Sequence, residues 1–505
     1  MEESFKKFRT VIIDGIFTQG MVSLLGGPFL AGFLVALGAS NFWIGVASGI
    51  PPLAQLFQLP AIWLVERIRK RRLICVVASF LSRIIWLLPI IASFFGSKEF
   101  FLPLILFTIF WQASLAAVSG ASWNSWMRDL IPSKIMGKFF SRRMQLSTIM
   151  GTFVVVTGGF FIDNYERIVS ISKLHAYIAV FSIGLILGLW GIFFLAKTPE
   201  PPMAPPLPES FIKKLIKPLK DNEYRKVIGF LGLWNFSINL ANPFFVVYML
   251  KRLDYSFGMV IIMTVISQVA NILAFPIWGK LSDRFSNKMV LVVVAPLFLI
   301  VILLWPFTTL PQPHILTLPL LVIIHILGGF STAGITLAGA NIALKLAPQG
   351  QATSYLALSS VVNSLSMFIA PIIGGGIAQY FADRELSMTL YWKSPTTQFS
   401  IHTLYFRELD FLFFIAALVG YFSLHLLTLI KEEGEIEERI FIRELLGEMQ
   451  RNLVNISSIS GFRFMIAFPY HLLRHPVSTL KSVKEHTSTF IHTLKDKTHK
   501  VIHHR

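Results

Sequence analysis

The sequence contains a single cysteine, few charged residues and none of the common catalytic or nucleotide-binding motifs. Because Cys75 has no second thiol to pair with, a fold held together by intramolecular disulfides is excluded. Charged residues are 14% of the chain, whereas soluble domains average about 25%. The patterns GxSxG, GxxxxGK[ST], HExxH and CxxC are absent, so we expect no enzyme activity, no ATP site, no cofactor and no metal ion.

Long apolar runs dominate what is present. Hydrophobic residues make up 54% of the 505 residues, with 46 Phe and 11 Trp, and the mean hydropathy is +0.65. Crossing a hydrocarbon layer of about 30 Å takes about 20 mostly apolar residues, and about twelve such runs occur. They lie near 10–37, 41–65, 73–95, 100–127, 138–163, 174–196, 226–250, 255–280, 288–308, 315–345, 350–382 and 402–430. The sequence therefore predicts an all-α polytopic membrane protein.

The net charge of +18 is concentrated in alternate connections and in the C-terminal segment. Basic residues recur at 6–9, 67–72, 128–143, 213–226 and 280–288, whereas 37–41 and 310–314 are nearly uncharged. This asymmetry is typical of membrane proteins with basic cytoplasmic loops. We therefore attribute the positive charge to membrane topology and not to binding of nucleic acid. We expect a multi-pass protein of the inner (plasma) membrane with both termini in the cytoplasm.

Composition divides the chain into four parts. Residues 197–225 are rich in proline and lysine, which favours an extended linker between an N-terminal bundle (1–196) and a C-terminal bundle (226–430). Residues 431–505 are too polar to span a membrane. This tail has apolar residues at helical spacing, namely Ile442, Leu445, Leu446, Met449 and Leu453, followed by a basic part. We expect it to lie on anionic lipid; the alternative, a metal site among its histidines, lacks a well-formed ligand spacing.

The two bundles carry matching features. A charged connection occurs at 279–288 and again at 61–72, and in each case an amide stands five residues before a proline: Gln55 before Pro60, and Asn271 before Pro276. Agreement of charge, amide and proline in both halves indicates a duplicated membrane unit.

These connections carry a resemblance to a known family. Gly279, Leu281, Asp283, Arg284 and Lys288 are spaced as in the charged signature of the major facilitator superfamily, and 123–143 resembles a loop of its prokaryotic members. In the first half, Ile62 replaces the glycine and Glu66, followed by Arg67, replaces the aspartate. The proline and glycine pattern of drug antiporters is missing from the fifth run. The resemblance implies twelve helices in two pseudo-symmetric bundles that alternate access to a central pocket.

The resemblance also implies a role in gating for Gly279, Asp283, Arg284, Lys288, Glu66 and Arg67. A glycine allows a tight turn between helices, and a carboxylate can accept N–H groups at a helix N-terminus. By resemblance, that terminus is near 349–353 for Asp283 and near 133–137 for Glu66. Such contacts exist only while the cytoplasmic ends are together, so they favour an outward-open state. Ordinary positive-inside loop charges are the alternative.

Ionisable residues inside the apolar runs are candidates for coupling, because unpaired charges in a bilayer are costly. Asp14 and Arg83 lie in the first and third runs, and we expect them to form a pair whose disruption by protonation or by substrate is coupled to the rocking motion. A static packing pair is the alternative. His325 in the tenth run is a candidate proton relay or substrate ligand, unless a backbone carbonyl satisfies it.

Amides inside the runs are candidates for substrate binding. Asn235, Asn239 and Asn242 are spaced to form one helical stripe ahead of a kink at Pro243. Shorter stripes comprise Gln55 with Gln58 in the second run, and Gln268 with Asn271 in the eighth. The resemblance adds Gln112, because the first, fourth, seventh and tenth helices of such transporters line the substrate route. Amides with nearby tryptophans would suit a neutral or weakly charged organic molecule.

We therefore interpret the chain as a secondary transporter of a small organic solute, a symporter or antiporter working by alternating access. A proton or sodium ion is the expected partner, with proton coupling preferred and facilitated diffusion second. A monomer in the lipid bilayer is expected, without nucleic acid. The alternative is a transporter-like scaffold or receptor that acts through its basic tail.

Overall fold

The computed structural model describes residues 8–95, 98–169, 173–203, 217–309, 312–347, 352–394, 397–432 and 441–449. Its first half contains six helical segments. They are α1 (Arg9–Leu25 and Gly27–Ala36), α2 (Asn41–Ala54 and Gln58–Ile68), α3 (Arg71–Ile84 and Leu87–Phe95), α4 (Lys98–Leu130), α5 (Ser133–Val169) and α6 (Lys173–Ala196).

The second half repeats this plan and adds a β-hairpin before its last helix. Its elements are α7 (Asn222–Ala241 and Phe244–Val247), α8 (Phe257–Arg284), α9 (Asn287–Leu304), α10 (Thr317–Lys345), α11 (Ala352–Tyr380), β1 (Glu385–Lys393), β2 (Gln398–Arg407) and α12 (Leu409–Thr428). Residues 441–449 form a further helix, the tail helix.

Within the described residues, eleven of these segments are long and apolar enough to cross a membrane. The twelfth, α2, is divided by a 3-10 turn at Gln55–Phe57, directly after Pro51 and Pro52. Proline lacks a backbone N–H and disfavours continuous α-helix, which accounts for the interruption. The kink expected at Pro243 is also present, because α7 breaks between Ala241 and Phe244. Twelve helical segments in two bundles are confirmed.

The helix packing repeats between the halves. In the first half α1 packs on α5 and α6, α4 packs on α2 and α3, and α3 packs on α6. In the second half α7 packs on α11 and α12, α10 packs on α8 and α9, and α9 packs on α12. Each pair corresponds to its partner six helices later, so the bundles are pseudo-symmetric.

One hydrogen bond is repeated at the same position of both halves. The Glu200 carboxylate accepts the backbone N–H of Arg71, at the start of α3, over 2.6 Å. The Glu432 carboxylate accepts the backbone N–H of Lys288, at the start of α9, over 2.7 Å. Each glutamate stands four residues beyond the last residue of its half's final helix, and each meets the partial positive charge of a helix N-terminus.

The beginning of the predicted linker packs against the first half. The carbonyl oxygen of Pro199 accepts the indole N–H of Trp126 over 2.9 Å, and that of Pro201 accepts the Arg71 guanidinium over 2.8 Å. Residues 199–203 are extended, as expected. They are nevertheless fixed to the bundle, since these carbonyl groups satisfy buried donors.

The hairpin defines one end of the bundle, the hairpin end, and the tail helix defines the other, the tail end. Our prediction of a twelfth run from 402 was wrong at its start, because 402–407 belong to β2 and α12 begins at Leu409. The antiparallel strands were missed altogether. Their apolar residues alternate with polar ones, which is the period of a strand, whereas a membrane-spanning helix is indicated by a long apolar run without that alternation.

The two halves touch closely at the hairpin end, where α2 crosses α11. A Cβ built on Gly375 would lie 2.6 Å from the carbonyl oxygen of Asn41, and one built on Gly49 would lie 2.6 Å from that of Phe368. Only glycine permits backbones to approach this closely. Further contacts join α1 and α5 to α8; for example, the rings of Phe29 and Phe257 lie 5.1 Å apart.

We expect Gly375→Ala to open this seal. The added methyl group overlaps the α2 backbone, which should destabilise the closed arrangement by about 1–3 kcal/mol and so lower its population. Gly376→Ala is the matched control, because a Cβ there meets nothing within 4 Å.

The measurement is the distance between spin labels at the exposed positions Trp43 and Tyr380, each changed to cysteine in a Cys75→Ser background. Gly375→Ala should add a longer-distance population that Gly376→Ala lacks. Identical distributions in the two variants would contradict a seal that depends on backbone contact.

Candidate functional site

A cavity of about 840 Å³ lies between the halves at mid-height of the helices. It is bounded towards the hairpin end by the seal, where Pro28 and Pro371 line it. Segments α1, α2, α4, α7, α8, α10 and α11 all contribute to its wall. Six of the seven amides predicted to bind substrate line it: Gln55, Gln112, Asn239, Asn242, Gln268 and Asn271.

Three of these amides are free to bind a ligand. Within the part of the chain that the structure describes, Gln112, Asn242 and Gln268 have no hydrogen-bond partner for their side chains. The Asn239 amide donates to the carbonyl oxygen of Asn235 over 2.8 Å, and that of Asn271 donates to Gly329 over 3.2 Å. The cavity thus presents unpaired donors and acceptors, which a solute or water must satisfy.

Asn235 does not line the cavity. Its amide nitrogen donates to the carbonyl oxygen of Leu231 over 2.8 Å and to the Asn363 side chain over 3.2 Å. It therefore joins α7 to α11, as interhelical amides do in membranes. Helical spacing placed it on one stripe with Asn239 and Asn242, but only those two reach the cavity.

The cavity wall carries no charged side chain among the described residues, and His325 is its one titratable group. The His325 Nδ1 lies 2.8 Å from the carbonyl oxygen of Leu321, and its ring packs edge-on against Trp305 with 5.6 Å between centroids. The backbone contact that we considered as an alternative is therefore present. The second ring nitrogen makes no hydrogen bond within the described residues.

Asp14 lies outside the cavity, inside the first half, where it is 3% exposed. Arg83 faces Asp14 as expected, but through Thr18, whose hydroxyl donates to Asp14 Oδ1 over 3.1 Å and accepts from Arg83 over 2.9 Å. The ion pair is made by Arg143, 3.9 Å from Asp14 Oδ2. One carboxylate thus faces two arginines from α3 and α5.

The arginines are held by further contacts that position them. Arg83 donates to the carbonyl oxygen of Gly188 on α6, and Arg143 donates to that of Val11 while lying 4.7 Å over the Trp123 ring. A Cβ on Gly191 would meet Arg83 at 3.2 Å and Asp14 at 3.3 Å. The small residues of α6 therefore leave room for this charged network, which ties together α1, α3, α5 and α6.

The predicted gating acids make no contact in this conformation. Glu66 and Asp283 are exposed at the tail end and have no hydrogen-bond or ion-pair partner within the described residues. Residues 349–351, part of one predicted partner segment, lie outside them. Contacts that require closed tail ends are not expected while the hairpin end is sealed, so the gating role stays a prediction.

The turn that we assigned to Gly279 lies elsewhere. Gly279 is inside α8, which continues to Arg284, and a Cβ there would make only an ordinary 3.9 Å contact with Leu337. The chain turns at Phe285 and Ser286, where the Ser286 hydroxyl accepts the backbone N–H of Met289 and caps α9. The connection is therefore formed by a serine that caps the next helix, where we had expected a glycine to permit a tight turn.

The basic residues of this connection contact the tail helix. Arg284 pairs with Glu444 at 2.8 Å and Lys280 with Glu448 at 3.3 Å. Phe441 and Leu445 are buried, and Phe441 lies 5.6 Å from the Phe285 ring. The described part of the tail therefore packs on protein through Phe441 and Leu445, while Leu453 and the basic part lie outside the described residues.

The remaining gating residues have local contacts. The Arg67 guanidinium lies 5.1 Å over the Trp63 ring, and Lys288 is buried at the start of α9.

A carboxylate also crosses between the halves at the hairpin end. Asp163, near the end of α5, accepts the backbone N–H of Gly258 over 2.8 Å in the first turn of α8. This is the type of contact that we predicted for Glu66 and Asp283, but it lies at the opposite end of the molecule. It stabilises the seal through the N-terminal charge of α8.

Sequence reasoning missed several charged residues of this framework. They are Arg143, Asp163, Glu200, Glu432 and the buried Asp410, which lies 4.0 Å from Arg252. Thr18 carried a detectable signal, because it stands one helical turn after Asp14 and so on the same face. The other residues act across helices, where spacing in the sequence gives no signal.

Comparisons with known proteins agree with this architecture. A sequence model of the Major Facilitator Superfamily matches residues 231–474. No curated protein sequence matches the chain significantly.

Solved transporters share the fold at low sequence identity. The nucleoside transporter NupG is similar with a TM-score of 0.62 and 15% identity, over 84% of this chain and 99% of that one. A D-xylose-proton symporter has a TM-score of 0.62 and 15% identity, over 86% and 99%. A bacterial homolog of the human lysosomal transporter Spinster has a TM-score of 0.59 and 11% identity, over 87% and 98%.

We expect the Asp14 network to be energetically coupled. Asp14→Asn leaves two arginines without a counter-charge in a buried site and should destabilise the protein by about 3–5 kcal/mol. Adding Arg143→Gln removes one of the excess charges, so the double variant should lose less stability than the sum of the single variants.

Unfolding in detergent by a chemical denaturant measures these differences. Arg142→Gln is the control, because Arg142 is exposed and bonds to Gln145 on its own helix. Additive effects of Asp14→Asn and Arg143→Gln would show that the 3.9 Å pair carries no coupling.

Proposed function

Since this chain belongs to the major facilitator superfamily, we propose that it carries a small, uncharged organic solute by alternating access, in exchange or symport with protons. The family and the fold make the chain a secondary transporter of some solute, set in the bilayer by many spans. The observation that carries the finer proposal is the cavity between the halves, with its unpaired amides and uncharged wall.

The cavity chemistry supports an uncharged solute. Transferring an ion from water into this cavity would cost several kcal/mol of desolvation free energy, because the wall offers no counter-charge to offset it. Free amides such as Gln112, Asn242 and Gln268 offer both donors and acceptors, which suit hydroxyl, carbonyl or ring-nitrogen groups. Two of the structurally similar proteins are named for nucleosides and for xylose, and both are solutes of this kind.

The orientation follows from the charged connections. The described basic residues between α2 and α3, α4 and α5, and α8 and α9 all lie at the tail end. The positive-inside rule favours this end as cytoplasmic. The sealed hairpin end then faces outward, and the cavity of this conformation faces the cytoplasm.

Two sites support proton coupling. His325 is placed where a bound solute would touch it, so its charge would change the affinity of the cavity directly. Asp14 acts at a distance: its protonation would release Arg143 of α5, and α5 is one of the helices that form the seal with α8. Facilitated diffusion, in which neither group changes charge during the cycle, is the competing mode.

We expect Asn242→Ala and Gln112→Ala to weaken solute binding by roughly tenfold each, since each removes a hydrogen bond worth about 1–1.5 kcal/mol. Solutes are first found by a thermal-shift screen of nucleosides, sugars and other uncharged metabolites, because a ligand of the folded protein raises its melting temperature. Affinities are then measured by calorimetry.

Asn235→Ala is the matched control, because this amide bonds to Asn363 away from the cavity. It should lower stability and leave the dissociation constant unchanged. An equal loss of affinity in all three variants would show that the cavity is not the binding site. Stabilisation by anionic solutes alone would overturn the proposed substrate class.

We expect His325→Gln to flatten the pH dependence of transport between about pH 5.5 and 8, where a histidine normally titrates. Glutamine keeps a hydrogen-bonding side chain but cannot take up a proton. Uptake into proteoliposomes at a series of pH values checks this, with His314→Gln as control because His314 is half-buried outside the cavity. If His325→Gln leaves the pH dependence of transport unchanged and Asp14→Asn abolishes it, the coupling site would be Asp14 on α1 instead.

A further inference from the structure

The β-hairpin between α11 and α12 has one apolar and one polar face. The register pairs Leu386 with Phe406, Leu390 with Ile401 and Trp392 with Phe399. The residues between them pair Glu385 with Arg407, Ser387 with Tyr405 and Tyr391 with Ser400. A register shift between Met388 and Thr389 keeps the apolar residues of both strands on the same face. Directly opposed residues share a face, so the apolar and polar sets lie on opposite faces.

The apolar face is exposed along its length. Leu386, Leu390, Trp392 and Phe399 are each at least half exposed, and the last two stack with 6.3 Å between centroids. A contiguous exposed patch of this kind on a polar-backed sheet marks an interaction surface.

The base of the hairpin shows in which direction this face points. The Phe406 ring lies 5.9 Å from that of Phe414 on α12. Phe414 begins a stripe of exposed residues that continues with Leu418, Tyr421 and Phe422 down the outside of this membrane-spanning helix. The apolar face of the hairpin is therefore continuous with a surface that lipid covers.

The polar face turns towards the protein. Tyr405 donates to Glu385 over 2.9 Å, and the guanidinium of Arg252, at the end of the seventh span, lies 5.9 Å from the Tyr405 ring. The apolar face is thus left on the side away from the bundle.

We propose that the hairpin lies on the bilayer surface at the hairpin end, with its apolar face against the headgroup and acyl-chain boundary of the outer leaflet. Trp392, near the tip of the apolar face, is a residue type that favours this boundary, and Lys393 beside it is suited to reach the headgroups. The hairpin is then a lipid-binding segment attached to α11, which forms part of the seal, and to α12. The proposal depends on the spans and not on the identity of the solute.

Adjacent residues on the two faces provide a direct test. Leu390→Cys and Tyr391→Cys, each spin-labelled in a Cys75→Ser background and placed in lipid nanodiscs, differ only in the face that carries the label. The ratio of oxygen to nickel-chelate accessibility should be several-fold higher at Leu390 than at Tyr391, and should approach that of Leu418→Cys on α12. Cys75 is buried and is the only native thiol.

Other outcomes are decisive. Equal access of the nickel chelate to both labels would show that the hairpin stands in water, and would overturn the proposal. Protection of Leu390→Cys from both reagents would show a protein partner or a second copy on this face, and would overturn it too.

A second measurement avoids the cysteine variants. The emission of the native protein minus that of Trp392→Phe isolates the signal of Trp392. Brominated acyl chains should quench this difference spectrum, and an unquenched spectrum at long wavelength would overturn the proposal.

Discussion

Polar groups in this protein are arranged by one constraint: the hydrocarbon layer offers no water to a donor, acceptor or charge. Asn235 bonds to Asn363, and Arg83 bonds to Thr18 and Gly188. Against that background, the amides of Gln112, Asn242 and Gln268 stand out as unpaired within the described part of the chain. Such groups are costly in hydrocarbon unless water or a solute reaches them, which is the physical basis of the binding site proposed in the cavity.

The same constraint determines which features could be predicted from the sequence and which could not. Spans, the kink at Pro243 and the amides of the cavity depend on residues close together in the chain, where composition and helical period are informative. Pairing partners depend on which helices adjoin, and no spacing encodes that. For this reason Arg83 on α3 was expected beside Asp14, whereas Arg143 on α5, the second arginine that faces this carboxylate, was not. The hairpin was missed because its signal is an alternation of apolar and polar residues, and not a long apolar run.

The gating role of Glu66 and Asp283 stays a prediction, although the type of contact expected for them occurs at other positions of the structure. Among the described residues, a carboxylate from a different part of the chain accepts an N–H group at a helix N-terminus in three places: Glu200 at α3, Glu432 at α9 and Asp163 at α8. The acids of the charged signature, Glu66 and Asp283, are exposed instead. The predicted partners of these two acids would approach them only when the tail ends of the two halves close. The exposed acids and the sealed hairpin end are therefore both features of a conformation that is open at the tail end.

The three contacts differ in what they connect, and this decides which of them can change during transport. Glu200 and Glu432 each join elements of one half, so a rocking motion of the halves as rigid bodies leaves both intact. The contact of Asp163 with Gly258 joins α5 of one half to α8 of the other, and rocking must break it. A contact of this type contributes about 0.3–2 kcal/mol, which biases an equilibrium between two states without locking it. The glycine contacts of α2 and α11 add a short-range barrier that is lost as soon as the backbones separate. Opening at the hairpin end therefore requires loss of one charged contact and one close-packed seal together, and a ligand needs to supply only the difference in free energy between the two states.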